Sequence, residues 1–453
     1  MHSSCGVPRF VVSSYQGKAG KTTAVLSLYA ALAKAGFRVS MFKLGPDFID
    51  PSYHEAVSGR PSRNLDHFLM GERVPERFCR YSAGTDLAIV EGVHSLYDSM
   101  DGSSEEGSTA QVAKQLKAPV LLVINGERVN RTAAAAILGL RAFDPNVRLG
   151  GVFLTNVTQG QAEKMSKSLD DVGIRVLGTL YRNQLISETM QYRHLGLIHM
   201  DERESTTLSA VTSAASNIDV DGLVEMAREY SGDLDYAPQA GKEVRPTLRP
   251  KIGIAHGRAF SFNYPETIEE AARLGEVKLF DPETDQQIDA DIIVMGGGFP
   301  EVYAESLEKN RPMKSFLRGF VEKGGILYAE CGGLEYLSRR LSYKGVEHEM
   351  VGIFDAVGVL HDRRVGHGYV WGTLEMDTAI GSRGTELRGH EFHYVELRTG
   401  AQTALRYERG RGIGGRDGLT YKNAYAQFMH LHPSTYDFMW KLVELRERQA
   451  AST

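Results

Sequence analysis

Cys331 stands just past a short apolar run, Ile326-Leu327-Tyr328-Ala329, and the acid Glu330, with Gly324-Gly325 before the run and Gly332-Gly333 after the cysteine. The run has the length and glycine punctuation of a buried strand, and the segment that follows has the apolar content of a helix. A cysteine on such a strand-to-helix turn is lifted clear of its neighbours, the arrangement of a nucleophile elbow. Gly332 and Gly333 leave backbone N–H groups to face a developing oxyanion, and a helix N-terminus just beyond would favour thiolate over thiol. A cysteine nucleophile needs a base. Further along, the apolar-aromatic stretch Gln427-Phe428-Met429 runs into His430 and His432, either of which suits a strand end in the same pocket. The competing account is an inert buried thiol and a solvated histidine turn. The Cys-Gly-Gly turn at a strand end tells against it.

A second set of reactive residues lies near the N-terminus. An apolar strand at 10–14 leads into Tyr15-Gln16-Gly17-Lys18-Ala19-Gly20-Lys21-Thr22-Thr23 and then an apolar helix over 24–35. Strand, glycine-containing loop ending in Gly-Lys-Thr, then helix is the context of a phosphate-binding loop. The N–H groups from Gly17 through Gly20 to Thr23 receive phosphate oxygens, Lys21 reaches the terminal phosphates, and the Thr22 hydroxyl can ligate magnesium. The first glycine of the strict pattern is missing: Tyr15 stands in its place, with Ser14 one residue earlier.

Three further segments carry acids and cations toward the same place. A strand delivering Lys43 is followed by a Gly45-Pro46 turn that presents Asp47 and Asp50. Two carboxylates at that spacing suit a magnesium site, with Asp47 as a ligand, or activation of a substrate; a polar helix-capping turn would use the same residues. Arg60 and Arg63 lie in the polar stretch 58–66, as receivers of acidic substrate groups or as part of a solvated loop. A strand at 86–90 ends in Glu91, where phosphate-loop enzymes keep the acid of the metal side, and Asp98 lies within reach of that crevice.

These residues need a scaffold that gathers strand ends. Runs at 120–124 and 151–155 are continuously apolar and alternate with helical stretches, as in a parallel sheet covered on both faces. Such sheets bind ligands at the carboxyl ends of their strands, where every residue named above falls. Residues 232–250 turn polar, with Pro238, Pro246 and Pro250, and read as a linker between domains at 1–231 and 251–453. The second domain opens with a strand at 251–255, carries another at 292–295 ending in Gly296-Gly297-Gly298, and closes with a helix at 442–448.

Composition removes several function classes. With 52 basic against 57 acidic residues and a formal net charge of −5, nothing favours nucleic acid as a partner. The three cysteines, Cys5, Cys79 and Cys331, form no CxxC pair and no even framework, which fits a reducing compartment. No apolar run approaches the ~18 residues of a membrane span, and the first residues lack a secretory pattern, so a cytoplasmic protein is expected. No GxGxxG follows the first strand, which excludes a dinucleotide-binding oxidoreductase of the usual kind.

Cys331 with the late histidine resembles the class I, triad-type glutamine amidotransferases, and residues 9–230 resemble the dethiobiotin-synthetase-like ATPases. Segments 43–51, 59–66 and 91–98, with shorter motifs at 193–197 and 388–394, are similar to the cobyrinate a,c-diamide synthase family, which fuses the two modules; the likeness spans nearly the whole chain. It implies two α/β domains, a P-loop NTPase and a flavodoxin-like amidotransferase, each a mostly parallel sheet with helices on both faces. It implies ATP and Mg2+ at Lys21, Asp47, Asp50, Glu91 and Asp98, and L-glutamine at Cys331 with His430 as base. The triglycine loop, through Gly298, would supply oxyanion donors. Many amidotransferases orient that histidine with a glutamate two residues on; here the position is His432, so the third member of the triad stays open. Segment 388–394 would line the glutamine or interdomain region, or be a plain structural strand. The family's chemistry is phosphorylation of a tetrapyrrole carboxylate, followed by attack of glutamine-derived ammonia, twice. Cobyrinate, hydrogenobyrinate and nickel sirohydrochlorin (toward coenzyme F430) are the candidate substrates, with a lean to the first. A regulatory P-loop ATPase on a non-catalytic amidotransferase scaffold is the more distant alternative, and a homodimer is compatible with all of these.

Overall fold

All six residues of strand Arg9–Ser14 are buried, and this strand lies at the centre of a seven-stranded sheet. The computed structural model describes residues 3–182, 217–236 and 246–452, so the motif at 193–197 lies outside the described residues. The chain divides into two units, 1–240 and 241–453.

In the first unit the strand order is Arg63–Leu65, Val39–Leu44, Leu87–Glu91, Arg9–Ser14, Val120–Asn125, Leu149–Val157, Val176–Tyr181, every pair parallel. The continuously apolar runs form strands because both faces are covered, and no alternation is needed. Three carboxyl ends at the centre of the sheet carry Ser14, Lys43-Leu44 and Glu91 side by side, with Val12 opposite Glu91 and Glu91 opposite Lys43. Helix Lys21–Lys34 starts directly after the loop, its N-cap Gly20 in the left-handed region at φ 85°. Four strands were not expected: Ser3–Cys5, Arg63–Leu65, Val176–Tyr181 and Leu234–Tyr236. Arg63–Leu65 sits inside the polar stretch 58–66, and Leu234–Tyr236 pairs antiparallel with Ser3–Cys5, so the chain remains tied to the first unit beyond 231.

The second unit holds a nine-stranded sheet whose two halves differ. Glu276–Phe280, Lys251–Ala255, Ile292–Met295, Ile326–Glu330 and Ala424–Gln427 are parallel; Arg416–Tyr421, Thr403–Arg409, Gly366–Leu374 and Glu386–His393 continue the sheet antiparallel. A separate four-stranded sheet contains Val346–Glu349, Ser338–Tyr343, Phe354–Leu360 and Val395–Thr399. The α/β architecture stands, while the antiparallel half departs from a mostly parallel sheet. Strand Ile326–Glu330 pairs with Ala424–Gln427 in a register that sets Glu330 opposite Gln427. That register brings the residues after Gln427 over Cys331.

Candidate functional site

At the first unit's strand ends the acids and cations form one connected cluster. The Thr22 hydroxyl donates to Glu91 Oε1 at 2.7 Å and lies 3.3 Å from Asp50 Oδ1. Lys43 Nζ donates to Asp50 Oδ2 and lies 3.4 Å from Glu91 Oε1 and 3.7 Å from Asp47 Oδ2. Burial opposes the Lys43 charge, but Asp50, Glu91 and Asp47 more than offset it and lift its pKa above the ordinary lysine value. Burial likewise opposes the Glu91 charge, and Lys43, His54 and Thr22 hold the carboxyl below its usual range. His54 is the member that the sequence did not reveal: Nε2 is 2.7 Å from Glu91 Oε2 and Nδ1 is 2.9 Å from the Ser62 hydroxyl. The available signal was its place four residues after Asp50 on helix Ile49–Ser58.

The other expected residues divide. Asp47 both joins and caps: Oδ1 accepts from Ile49 N at 2.7 Å and from Asp50 N at 3.3 Å, while Asn64 holds the Gly45 and Asp47 carbonyls at 2.8 Å each. Lys21 reaches the Ser14 hydroxyl at 3.2 Å and the His94 carbonyl, and His94 presents that carbonyl from a strained φ of 44°. Burial, then repulsion from Lys43, bring the Lys21 pKa down to about 8, against the pull of Glu91, Asp50 and Asp98. Asp98 is therefore within electrostatic reach, and accepts from Ser95 N at 3.3 Å. No heavy atom comes within 4 Å of the Cβ position on Gly17, whereas that on Gly20 would touch Thr155; Thr23 is buried in the helix's first turn. Arg60 and Arg63 do not join the cluster. Arg60 is exposed beyond the helix C-cap Gly59, and Arg63 is buried with its guanidinium 4.3 Å over the Tyr81 ring. Among the described residues no three His, Cys, Asp or Glu side chains form a ready metal cage.

In the second unit Cys331 occupies the expected elbow. Its backbone sits at φ 47°, ψ −108°, between strand Ile326–Glu330 and helix Gly332–Leu337. The thiol is 2% exposed and donates to the Phe392 carbonyl at 3.6 Å. The expected thiolate is not what the surroundings favour: burial first, then the charges of Glu335 and Glu301, push the thiol pKa well above its ordinary value, and the Gly332 N–H opposes this only in part. A six-residue helix has too small a dipole to win against that burial.

His430 lies against the elbow, and glycine makes the approach feasible. A Cβ on Gly297 would stand 2.5 Å from His430 Cε1, 3.3 Å from Nε2 and 3.4 Å from Cys331 Cβ. Gly298, at φ 153°, brings its backbone under Ala259, and its N–H lies 3.0 Å from the Cβ position of Gly332. Gly333 is packed end-on to the Met295 carbonyl, 2.7 Å from its own Cβ position. The motif at 388–394 lines this pocket: besides Phe392, the His390 ring stacks on His430 at 4.7 Å, and the two residues exchange backbone hydrogen bonds. Asp417, also missed in the sequence, accepts from the Phe428 and Met429 N–H groups at 2.8 and 3.1 Å and so fixes the segment that carries His430.

Two domain families match the chain in the same order as the two clusters. A CobQ/CobB/MinD/ParA nucleotide-binding domain matches residues 10–195, and a CobB/CobQ-like glutamine amidotransferase domain matches residues 251–438. Among whole proteins, a cobyrinate a,c-diamide synthase of Archaeoglobus fulgidus is 41% identical over 94% of this chain and 94% of its own. One of Methanosarcina acetivorans is 37% identical over 98% and 97%. A hydrogenobyrinate a,c-diamide synthase of Streptomyces coelicolor is 37% identical over 95% of each. With identity of this level along almost the full length of both partners, the chain belongs to the cobyrinate a,c-diamide synthase family.

Proposed function

We propose that this protein is a ligase that converts the a and c acetate carboxylates of cobyrinate to amides, using ATP and glutamine. One observation carries the reading: a Cys331–His430 pocket and a Lys21–Thr22–Glu91 cluster occur together in a chain that aligns end to end with relatives named for this reaction.

In the first unit the loop from Gly17 to Thr23 and Lys21 would hold the ATP phosphates. Magnesium suits the all-oxygen set of Thr22, Glu91 and the neighbouring Asp50, because it takes one or two carboxylates and completes its shell with phosphate and water. It would supply neutralisation of the charge on the transferring phosphoryl group. A carboxylate is a poor electrophile, so its oxygen attacks the γ-phosphorus, ADP leaves, and an acyl phosphate forms. The ammonia lone pair then attacks the acyl carbon; phosphate departs with the C–O electrons and the nitrogen loses a proton. Asp47, Asp50 and Asp98 border this crevice and serve the substrate and that proton.

In the second unit His430 Nε2 takes the Cys331 S–H proton as the sulfur bonds to the glutamine amide carbon. The oxyanion faces the N–H groups of Gly298 and Gly332. His430 returns the proton to the leaving nitrogen, the C–N bond breaks, and ammonia departs from a glutamyl thioester that water hydrolyses to glutamate. ATP use and a working thiol suit the cytoplasm, and no described helix is long and apolar enough to cross a membrane.

Hydrogenobyrinate is the second reading, favoured by the 37% identical Streptomyces coelicolor relative. The test incubates the protein with MgATP, glutamine and, separately, cobyrinate, hydrogenobyrinate or nickel sirohydrochlorin, and follows products by mass spectrometry. Two successive acid-to-amide mass changes on cobyrinate are expected. Amidation of none of the three, with glutamine or with ammonia, overturns the proposal.

A further inference from the structure

Because His432 replaces the acid two residues beyond His430, something else must hold the base. His432 does not fill the position itself. It is buried beside Tyr264, its Nδ1 accepts from the Ser434 N–H at 3.0 Å, and its Nε2 faces Glu266 at 3.9 Å. A carboxylate on the adjacent strand stands beside His430: Glu330 Oε2 lies 3.4 Å from His430 Nδ1, with both side chains buried. The geometry points to Glu330, the residue directly before the nucleophile, as the positioning acid that orients His430 and fixes its tautomer for glutamine hydrolysis. This deepens the amidotransferase reading above and rests on it.

Glu330 is held so that one oxygen is committed and the other is left to the imidazole. Oε1 accepts from the Leu431 N–H at 2.9 Å and from the Tyr328 hydroxyl. Tyr328 in turn accepts from the Gln427 amide at 3.3 Å, and Gln427 Oε1 accepts from Tyr425 at 2.7 Å. Four buried side chains on two paired strands thus fix the carboxylate plane. The strand register is what makes this possible, since Glu330 lies opposite Gln427 and His430 is three residues further on.

An ionised carboxylate only accepts, so its partner nitrogen must carry the proton. With Nδ1 protonated, Nε2 keeps its lone pair, and Nε2 and Cε1 form the ring edge turned to Gly297, whose Cβ position also lies 3.4 Å from Cys331 Cβ. That is the tautomer a base for the thiol needs. The charged groups and rings around His430 agree. Burial pushes the Cys331 thiol up, and burial and then His430 push down the His390 imidazole, whose ring stacks on that of His430. Glu330 is the carboxylate against the imidazole. A separation of 3.4 Å is long for a formed bond, and such contacts tighten when substrate closes the site.

The test compares the wild type with Glu330→Gln, Glu330→Asp, Glu330→Ala and Cys331→Ala, each assayed for glutamine-dependent and ammonia-dependent amidation and for the pH profile of glutaminase kcat/KM. In Glu330→Gln the amide can present N–H to Nδ1 and so enforce the wrong tautomer. Glutamine-dependent kcat is expected to fall roughly 10²–10⁴-fold, the range set by comparable acid-to-amide changes, with KM for glutamine little altered. The pH profile of glutaminase kcat/KM should change, while that of ammonia-dependent turnover should not. Glu330→Asp should recover part of the rate. Ammonia-dependent turnover serves as the fold control. Glutamine-dependent kcat within threefold of wild type, or a loss confined to KM with an unchanged pH profile, overturns the assignment. Should the substitutions prevent folding, nitrogen NMR of histidine-labelled wild-type protein decides instead: protonated Nδ1 at His430 supports the assignment, and protonated Nε2 refutes it. Retention of glutamine use by Cys331→Ala would instead sink the amidotransferase reading and leave the Glu330 geometry untouched.

Discussion

His54 Nε2 lies 2.7 Å from Glu91 Oε2 while the Thr22 hydroxyl binds the other oxygen of the same carboxylate at 2.7 Å. Glu91 is fully buried, so each partner replaces a water molecule that the carboxylate has lost. The helix that bears Asp50 also bears His54, and the pair grips the strand end from one side. Both oxygens of the carboxylate are thus held by the protein's own side chains.

Removing His54 therefore acts on the first unit's chemistry without touching substrate. His54→Ala leaves a buried carboxylate oxygen unpaired, costing about 1–3 kcal/mol of stability. It should also lower ATP-dependent, ammonia-supported amidation by about 10–100-fold, as loss of a supporting contact at a metal site does. Titration of that activity with magnesium should show a raised requirement. An unchanged magnesium curve would mean that His54 has only a packing role.

Nucleotide binding should weaken in alkali. Burial and Lys43 bring Lys21 down to about 8. Phosphate favours its charged form, so binding takes up a proton once the free protein has lost one. The affinity is therefore full below pH 8 and declines above it, by up to about tenfold per pH unit. Calorimetry of ATP binding at pH 7, 8 and 9, in buffers of different ionisation enthalpy, should show both the decline and proton uptake. Equal affinities at pH 7 and 9 would contradict the role given to Lys21.

What could be read in advance follows a physical division. The parallel strands are apolar throughout and end in short polar loops, so residues such as Lys21, Glu91 and Cys331 announce themselves at strand ends. The antiparallel half was hidden because half-buried strands alternate and are interrupted by glycine. Gly372 in strand Gly366–Leu374 reads as a loop residue, yet a Cβ there would stand 2.4 Å from the Arg406 carbonyl of the neighbouring strand. At Arg63 the sequence offered a receiver of acidic groups or a solvated loop; the structure buries it, with the guanidinium 4.3 Å over the Tyr81 ring. His54, Glu330 and Asp417 depend on partners fixed by folding, and no local spacing encodes register between strands a hundred residues apart. The thiolate expectation meets an opposing influence that no motif displays: burial pushes the Cys331 thiol up, and the Gly332 N–H opposes this only in part.

The elbow itself stores strain. A non-glycine residue at φ 47°, ψ −108° costs about 1–3 kcal/mol. Glycine would relieve this while giving up about 0.5–1 kcal/mol of chain entropy. Cys331→Gly is expected to melt at or above Cys331→Ala, by up to about 2 kcal/mol, reversing the usual order of these residues. Denaturant titration of the two inactive variants measures the difference. If alanine is the more stable, the turn is not strained in the folded protein.

Asp417 offers the sharpest separation of support from chemistry, because it holds His430 in place through the main chain alone. Its carboxylate is fully buried and accepts from the N–H groups of Gly418, Phe428 and Met429 and from the Tyr407 hydroxyl at 2.6 Å. Asparagine keeps the shape but turns an NH2 group toward main-chain donors, so at least one buried N–H must lose its acceptor. Asp417→Asn should cost about 1–3 kcal/mol in urea titrations, and Asp417→Ala more, since it leaves every donor unpaired. Displacing the 428–430 segment by even about 1 Å should lower glutaminase turnover on the order of 10²-fold. The acid limb of the pH profile should not move, because Asp417 does not touch the imidazole ring, and this distinguishes it from Glu330. A displaced acid limb in Asp417→Asn would show that the carboxylate acts on the base electrostatically, and equal turnover would show that the segment is held without it, by the paired strand Ala424–Gln427 before it and the His390 main chain beside His430.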